Sequence, residues 1–187
     1  MAGASGFRPS TIPNSQWMRN LAAQASTNRP IAVGDAVAMV NGIAVPCTSG
    51  QDPSQRGFGV VMSIYTTAGR PLTFQSNKII VSGQVGRVDV CYDPNQRYYV
   101  RCITSCGPSN IGKNATLDDT TSLANATTGI SGQSVNIPAS ASQNDLFKIV
   151  GLGQFDELGG KDTGGGANNG VEVVWNFHAF KATVAGQ

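Results

Sequence analysis

The sequence predicts an all-β protein, a small antiparallel β-barrel or sandwich with an N-terminal extended arm and one short helix. Three observations lead to this prediction. The composition is rich in turn-forming residues and poor in charge, with 23 Gly, 9 Pro and only 13% charged residues in 187. Short apolar or alternating runs recur between Gly, Pro and Asn turn signals, as strands do. Several short strands with such turns are typical of barrels and sandwiches.

The chain is predicted to divide into residues 1–29, an arm, and residues 30–187, a barrel or sandwich domain with long polar loops. Its 187 residues are enough for one domain with a core of its own. The first 13 residues are mostly Gly, Ala, Ser and Pro and show no core-forming pattern, which is typical of an arm or tail.

One short helix is predicted over residues 14–26. Trp17, Leu21 and Ala25 recur at intervals of four, which places them on one face of a helix, with Met18 beside them. Three helical turns are marginally stable in water, so this face must pack either on the barrel or on a neighbouring subunit.

The docking interpretation of the arm makes its large side chains candidates for partner binding. The residues that we expect to contact a partner protein or a neighbouring subunit are Phe7, Arg8, Trp17, Met18 and Leu21.

Eight segments are predicted as strands on the basis of apolar runs or alternation. They are residues 31–40, 43–47, 57–66, 84–92, 97–104, 133–137, 145–151 and 171–182. The pair Asn41-Gly42 predicts a two-residue hairpin turn between the first two segments. The turn sequence of residues 93–96 predicts a second hairpin, in which segment 97–104 pairs with segment 84–92.

Two stretches are predicted as loops. Residues 105–144 are rich in Ser and Thr and lack helical periodicity, so they are predicted as mostly loop with short strand fragments such as 133–137. Residues 154–170 are rich in Gly and are predicted to form a long loop. Asp156, Glu157 and Asp162 lie in the second stretch, but their spacing fits no known calcium loop, and we interpret them as solvated.

The residues able to perform catalysis or bind a metal are few. The cysteines Cys47, Cys91, Cys102 and Cys106 are predicted to be free thiols, because nothing at the start of the chain resembles an export signal. A zinc site is not expected, since the sequence has no second cysteine pair and a single histidine, His178. We predict a structural role for that histidine, no enzymatic activity and no cofactor.

Charge and hydropathy exclude two classes of partner. The net charge is +2, too small to indicate nucleic-acid binding. The sequence has no apolar stretch long enough to span a membrane as a helix. We therefore expect neither nucleic acid nor a membrane as a partner, and synthesis in a cytosol.

Several short motifs resemble, in their order along the chain, structural proteins of tailed bacteriophages. They are VGRVDVCYDPNQRYYVRC from residue 85, NIGKNA from 110, TGISG from 128, LFKIVGL from 146 and VEVVWNFHAF from 171. The resembling proteins are capsid decoration, or cement, and minor structural proteins.

This resemblance implies a non-enzymatic subunit on the capsid surface of a virion, made in the host bacterial cytoplasm. The implied partners are the major capsid protein and further copies of the chain, as a dimer or trimer. The alternative is a tail or receptor- and carbohydrate-binding module. Such a module needs exposed aromatic side chains, for which the sequence offers Trp175 and the pair Tyr98 and Tyr99.

Overall fold

The computed structural model describes residues 6–10, 16–48, 56–118, 124–140, 142–153 and 169–180. Within these residues the chain forms eleven strands and two short 3-10 turns, which confirms the all-β prediction. The strands are β1 Arg8–Pro9, β2 Trp17–Gln24, β3 Ala36–Val40, β4 Ile43–Pro46, β5 Gly57–Tyr65, β6 Val85–Cys91, β7 Arg97–Cys102, β8 Asn114–Asp118, β9 Ser134–Asn136, β10 Phe147–Leu152 and β11 Asn169–Trp175.

Strands β2 to β6 form a closed barrel, here called the first barrel, in the order β2-β4-β3-β5-β6. The turn at Asn41 and Gly42 joins β3 to β4 as predicted, and both residues have positive φ angles of 51° and 79°. A parallel pairing of Ala23 with Ala44 joins β2 to β4, and antiparallel pairs make the other contacts of the ring.

Strands β7 to β11 form a second ring, here called the second barrel. Their sheet runs β7-β11-β10-β8-β9, and β9 pairs back onto β7 where Cys102 lies beside Val135. That pairing is also parallel, and the remaining pairs of the ring are antiparallel. Strand β1 adds to the outer side of β7.

The two barrels have the same topology. Each ring contains five strands, its first and third strands run parallel, and its other neighbours run antiparallel. The connection between the first and second strand has equal length in both, residues 25–35 and 103–113. The connection between the third and fourth strand also has equal length, residues 47–56 and 137–146.

The agreement extends to individual hydrogen bonds. In the first barrel the amide of Gly34 donates to the carbonyl of Val61 at 2.8 Å. In the second, the amide of Gly112 donates to the carbonyl of Ile149 at 2.8 Å. Both glycines have positive φ angles, 88° and 93°, which favour glycine. The same glycine turn, here called the corner, therefore precedes the second strand of each barrel.

The first barrel contributes to two hydrophobic cores. Val37 and Val61 point into the first barrel, whereas Ala36 and Val60 point out of it and join the core of the second barrel. Alternate side chains of β3 and β5 are thus buried on opposite faces. This explains why residues 57–65 are nearly continuously apolar.

The barrels are in direct contact where β5 begins. The fully buried ring of Trp175 lies so close to Gly57 that a Cβ there would be 2.1 Å from the indole. The amide of Ala36 donates to the side-chain oxygen of Gln133 at 2.7 Å, and Val33 pairs with Ile130. Apolar packing and hydrogen bonds together hold the barrels against each other.

The predicted helix is wrong, because its described part, from residue 16 to residue 26, consists of strand β2 with one flanking residue before it and two after it, and none of these residues is helical. A spacing of four is even, so it places side chains on one face of a strand as well as of a helix. A bulge between Met18 and Leu21 then turns both side chains toward the first barrel. Ala23 follows Leu21 on that inward face.

The described residues of the predicted arm over residues 1–29 do not form a separate arm, and residues 1–5 and 11–15 of that prediction lie outside the described residues. β2 is a strand of the first barrel, and β1 is hydrogen-bonded into the second sheet. The division of the chain instead falls at the turn after Cys91, between β6 and β7.

The predicted hairpin of segments 84–92 and 97–104 is wrong. The turn itself forms, with the amide of Gln96 donating to the carbonyl of Asp93 at 3.2 Å. However, β6 pairs with β2 and β5, whereas β7 pairs with β1, β9 and β11. Because both edges of β6 and both edges of β7 are hydrogen-bonded to other strands, β6 and β7 do not pair with each other, and the turn connects the two barrels.

Smaller differences concern the C-terminal half. β8 lies within the predicted loop of residues 105–144, and its inward side chains are Ala115 and Leu117. β11 ends at Trp175, short of the predicted strand end. Most of the predicted loop over residues 154–170, including its three acidic residues, lies outside the described residues.

Candidate functional site

The outer edge of β7 is occupied by a segment from the start of the chain. Arg8 pairs with Tyr99 and Pro9 with Tyr98, and the amide of Ser10 donates to the carbonyl of Arg97 at 3.0 Å. Proline lacks an N–H and is tolerated in such an edge strand. We call residues 97–100 of β7 the filled edge.

Phe7 fixes this segment in the core of the second barrel. It is 2% exposed and stacks on Phe147 with ring centroids 4.6 Å apart. The ring of Tyr98 meets it edge-on at 6.2 Å. The amide of Phe7 donates to the carbonyl of Gly34 at 2.9 Å, so the same residue also contacts the first barrel. Its side chain is therefore bound within the chain, while that of Arg8 is exposed.

The equivalent edge of the first barrel belongs to β2. Met18 pairs with Val90 of β6, as Tyr98 pairs with Val173 of β11. Strand β4 begins at Ile43, so the first half of β2 extends beyond the start of β4. In the described parts of the chain, no strand pairs with β2 on that side. We call residues 17–21 of β2 the open edge.

The three apolar residues of the open edge are the remaining predicted partner-binding residues. Trp17, Met18 and Leu21 are each half-buried. The residue equivalent to Met18 in the second barrel, Tyr98, is fully buried. The barrel with the attached segment therefore shields this position, and the barrel without it leaves apolar surface in contact with solvent.

An acidic residue lies beside each edge at the same register position. In the second barrel Glu172 accepts a hydrogen bond from the Ser10 hydroxyl at 2.6 Å and lies 3.4 Å from the Arg97 guanidinium. In the first barrel the corresponding residue is Asp89, which accepts from the amide of Asn20 at 2.9 Å. The attached segment thus donates a hydrogen bond to Glu172, and the bulge of β2 donates one to Asp89.

Asp89 also bonds to Tyr65, whose hydroxyl donates to it at 2.7 Å. This hydrogen bond to the carboxylate raises the pKa of Tyr65 above its ordinary value. Nearby, the guanidinium of Arg87 donates to the carbonyl of Asn20 at 3.2 Å, and the side chain of Arg19 is exposed. The open edge therefore has two basic side chains, Arg19 and Arg87, beside one acidic side chain, Asp89, and Arg19 is exposed to solvent.

A second group of polar residues lies between the barrels. The carboxylate of Asp35 is fully buried and accepts a hydrogen bond from the amide of Ala32 at 2.7 Å. Burial raises its pKa to about 7, although hydrogen bonds from Ser131 and Ala32 oppose the shift. Burial beside Asp35 likewise raises the pKa of Cys47 to about 12, so this thiol is neutral at physiological pH.

The four cysteines are free and buried, in agreement with the prediction. Cys102 and Cys106 are hydrogen-bonded to each other, and Cys102 lies 3.3 Å from the Thr104 hydroxyl. The hydrogen bond from Cys106 lowers the pKa of Cys102 to about 6 and raises that of Cys106. In the part of the chain that the structure describes, no three His, Cys, Asp or Glu side chains come together to hold a metal.

His178 has structural contacts on both ring nitrogens. Nε2 lies 2.7 Å from the carbonyl of Phe58, and Nδ1 accepts from the amide of Phe180 at 3.1 Å. This arrangement assigns the proton to Nε2 of a neutral ring. The residue is buried at 1% exposure, not on the solvent face of the last strand, and packs 5.3 Å from Trp175. These contacts fit the predicted structural role.

The aromatic residues proposed for a sugar-binding alternative are mostly inaccessible. Trp175 and Tyr98 are fully buried, whereas Tyr99 is half-buried. Among the described residues, the exposed aromatic side chains are Phe74 at 86% and Phe180 at 60%. Sequence reasoning missed both, because Phe74 lies outside every predicted strand and Phe180 falls within the predicted strand 171–182, whereas β11 ends at Trp175.

The equivalence of the two edges was not apparent from the sequence. Its signal would have been the equal lengths of connections 25–35 and 103–113, together with a Gly after Val33 and a Gly after Ile111. Comparison with known proteins adds no identity: neither a protein-family model nor a curated protein matches this chain. No helix in the described residues is both long and apolar enough to cross a bilayer.

Proposed function

We propose that this protein is a non-enzymatic virion structural protein, which binds the outer surface of a tailed-phage capsid and stabilises it. Its partner would be the major capsid protein, and it would be made in the host bacterial cytoplasm before it joins the virion. The ordered motifs between residues 85 and 180 support this class of particle.

The observation that carries the proposal is how the described chemistry-bearing side chains are used. His178 bonds to the backbone, Asp35 bonds to Ser131 across the two barrels, and Cys102 and Cys106 bond to each other. Each of these groups is buried in contacts that hold the fold. Such an arrangement supports a subunit that acts through its surface and not through turnover.

The tandem barrels suit attachment to a repeating lattice. A rigid subunit with several surface features makes many weak contacts to an ordered array, and these contacts sum through multivalency. A homo-oligomer, either a dimer or a trimer, would multiply them further.

The test is to add the purified protein to particles of the phage that encodes it, after deletion of its gene. We expect binding over the whole shell by cryo-electron microscopy and a higher temperature of shell rupture. A His178→Asn variant that folds normally should bind equally well, because the histidine has no catalytic part. Absence of shell binding by the wild-type protein would overturn the proposal.

The alternative is a tail or receptor- and carbohydrate-binding module, and the exposed ring of Phe180 is the observation that favours it. This ring lies 5.8 Å from Tyr92 and 5.7 Å from Phe58, so the three rings form one cluster. Density confined to the tail, or glycan binding that is lost in a Phe180→Ala variant, would support this alternative.

A further inference from the structure

The two barrels offer an internal comparison, because one has its edge strand and the other lacks it. On the filled edge, residues 8–10 continue the sheet beyond the start of β9. On the open edge, residues 17–19 extend in the same way beyond the start of β4, whereas Asn20 has a positive φ of 57° and its amide and carbonyl already bond to Asp89 and Arg87. The shared register makes the position beside Met18 the counterpart of the position that Pro9 takes beside Tyr98.

We propose that the open edge of β2 binds an extended segment of a partner protein by strand addition, and that this segment carries an acidic residue opposite Arg19. In strand addition, backbone hydrogen bonds supply affinity and side-chain contacts supply specificity. The inference deepens the proposed function and rests on it for the partner, which would be the shell protein.

The apolar side chains at the open edge indicate what kind of segment fits. Trp17, Met18 and Leu21 are half-buried, so an added strand would cover surface that water now contacts. On the filled edge, the segment that covers the apolar surface carries a large apolar residue, Phe7, which is 2% exposed. A matching segment therefore carries at least one large apolar side chain.

Charge distinguishes the two segments. The filled edge binds Ser10 through the acidic Glu172, and the attached segment itself carries the basic Arg8. At the open edge the equivalent acid, Asp89, lies beside two basic side chains, Arg87 and the exposed Arg19, so basic groups outnumber acidic ones. An acidic strand is therefore favoured over a basic one.

Charge also argues against a second copy of this chain on the open edge. In an antiparallel pairing of two β2 strands across a twofold axis, Arg19 of one copy would approach Arg19 of the other. Arg87 lies next to each strand and adds to the repulsion. Like charges opposed across strands are unfavourable.

A bulge and an arginine are also devices that protect an edge from unwanted pairing. The half-buried Trp17 distinguishes an edge that binds a strand from an edge that is only protected, because the other tryptophan, Trp175, is fully buried. Acrylamide quenching of tryptophan fluorescence therefore reports on Trp17. A bound strand will shield it, whereas a merely protected edge will leave it accessible.

The test uses the full chain and two synthetic peptides. The first has the sequence of residues 6–13, GFRPSTIP, and the second carries the Arg8→Glu change. We expect the acidic peptide to shield Trp17 from acrylamide, with about threefold tighter binding than the basic peptide. A Trp17→Phe variant will show no change on peptide addition, which identifies the reporter.

Two charged variants provide the matched comparison. Met18→Lys places a charge on the inward face of the open edge and should weaken binding of the acidic peptide at least about tenfold. Val85→Lys changes a valine that is already 58% exposed on β6 and should bind as the wild type does. Circular dichroism and thermal melting of both variants check that each is folded.

Several results would overturn the inference. These are peptides that fail to shield Trp17, Met18→Lys binding that equals wild type, or a dimer in sedimentation that Met18→Lys dissociates. A further result would identify the chain's own segment as the occupant. In that case Trp17 is as inaccessible as Trp175 in the isolated chain, and removal of residues 181–187 exposes it.

The particle experiment separates this inference from the proposed function. If the wild-type protein fails to bind particles while the acidic peptide still shields Trp17, the proposed function fails and the open edge is a binding edge. If Met18→Lys decorates particles with wild-type occupancy, the inference fails and the proposed function stands.

Discussion

The first and second barrels have one backbone plan but different surroundings. The corner residues Gly34 and Asp35 are buried against the segment of Phe7 and the loop of Ser131. The equivalent Gly112 and Lys113 are exposed. The comparison teaches that strand order and register depend on the backbone hydrogen bonds, which the barrels share, and that the type of residue depends on what covers each position.

The largest expected difference concerns the two edges. Phe7→Ala removes a buried ring from the filled edge and should lower the free energy of unfolding by about 3–5 kcal/mol. Trp17→Ala at the open edge removes a half-buried ring and should cost about 1 kcal/mol or less. Urea titration of both variants measures the difference. Equal losses would mean that the open edge is as fully covered as the filled one.

Protonation of Asp35 should make stability depend on pH in the first barrel. Its folded pKa of about 7 lies above the ordinary value of 3.8, so folding favours the protonated form. The stabilisation is complete below about pH 4 and is lost as the pH rises through 7, by up to about 4 kcal/mol.

An Asp35→Asn variant should show a much flatter stability curve between pH 4 and pH 8, measured by urea titration at each pH. The exposed counterpart in the second barrel provides the control, because Lys113→Gln should leave the wild-type curve unchanged. A slope that persists in Asp35→Asn would place its origin in another group.

Adding a methyl group at the junction of the barrels should have an intermediate effect. Gly57→Ala brings its Cβ within 2.1 Å of the buried Trp175 ring, so the rings and strands must shift, at a cost of about 1–3 kcal/mol. Gly151→Ala meets only the Glu172 side chain, with Oε2 at 3.2 Å and Cβ at 3.5 Å, and should be nearly neutral. Melting temperatures of the two variants are the measurement, and similar values would contradict this packing.

The smallest expected difference is between the paired corners. Gly34→Ala and Gly112→Ala both force alanine into a positive φ angle, which costs about 1 kcal/mol. At Gly34 the new Cβ also meets the Phe7 backbone at 3.2 Å, whereas at Gly112 nothing lies within 4 Å. Gly34→Ala should therefore be the less stable variant in urea titration. The reverse order would contradict the view that the contact with the Phe7 backbone sets the difference in cost.

Local patterns predicted much of the strand content. The Asn41-Gly42 turn and the apolar run of β5 were recognisable because a tight turn and a doubly buried strand leave local signals. The alternation that predicted β11 was likewise reliable up to Trp175. In contrast, the pattern of Trp17, Leu21 and Ala25 fits both a helix and a strand, and only the pairing with β6 decides between them.

Pairing between distant strands was not predictable from such patterns. The turn of residues 93–96 is as strong locally as a hairpin turn, yet its two strands belong to different barrels. Of the predicted partner-binding residues, Phe7 is buried within the chain, and Trp17, Met18 and Leu21 lie at the open edge, where partner binding stays a prediction. The sequence contains no local signal of which edge is already filled.

The attachment of β1 to β7 has a consequence for the order of folding. The strands of each barrel are contiguous in sequence, so the first barrel can close as soon as β6 has left the ribosome. The segment of Phe7 is synthesised before either barrel, but its partner strand is made after the first barrel is complete. Such a distant contact adds a late and slow closure step. During synthesis the Phe7 ring therefore stays exposed to chaperones until β7, and then Phe147 of β10, have emerged.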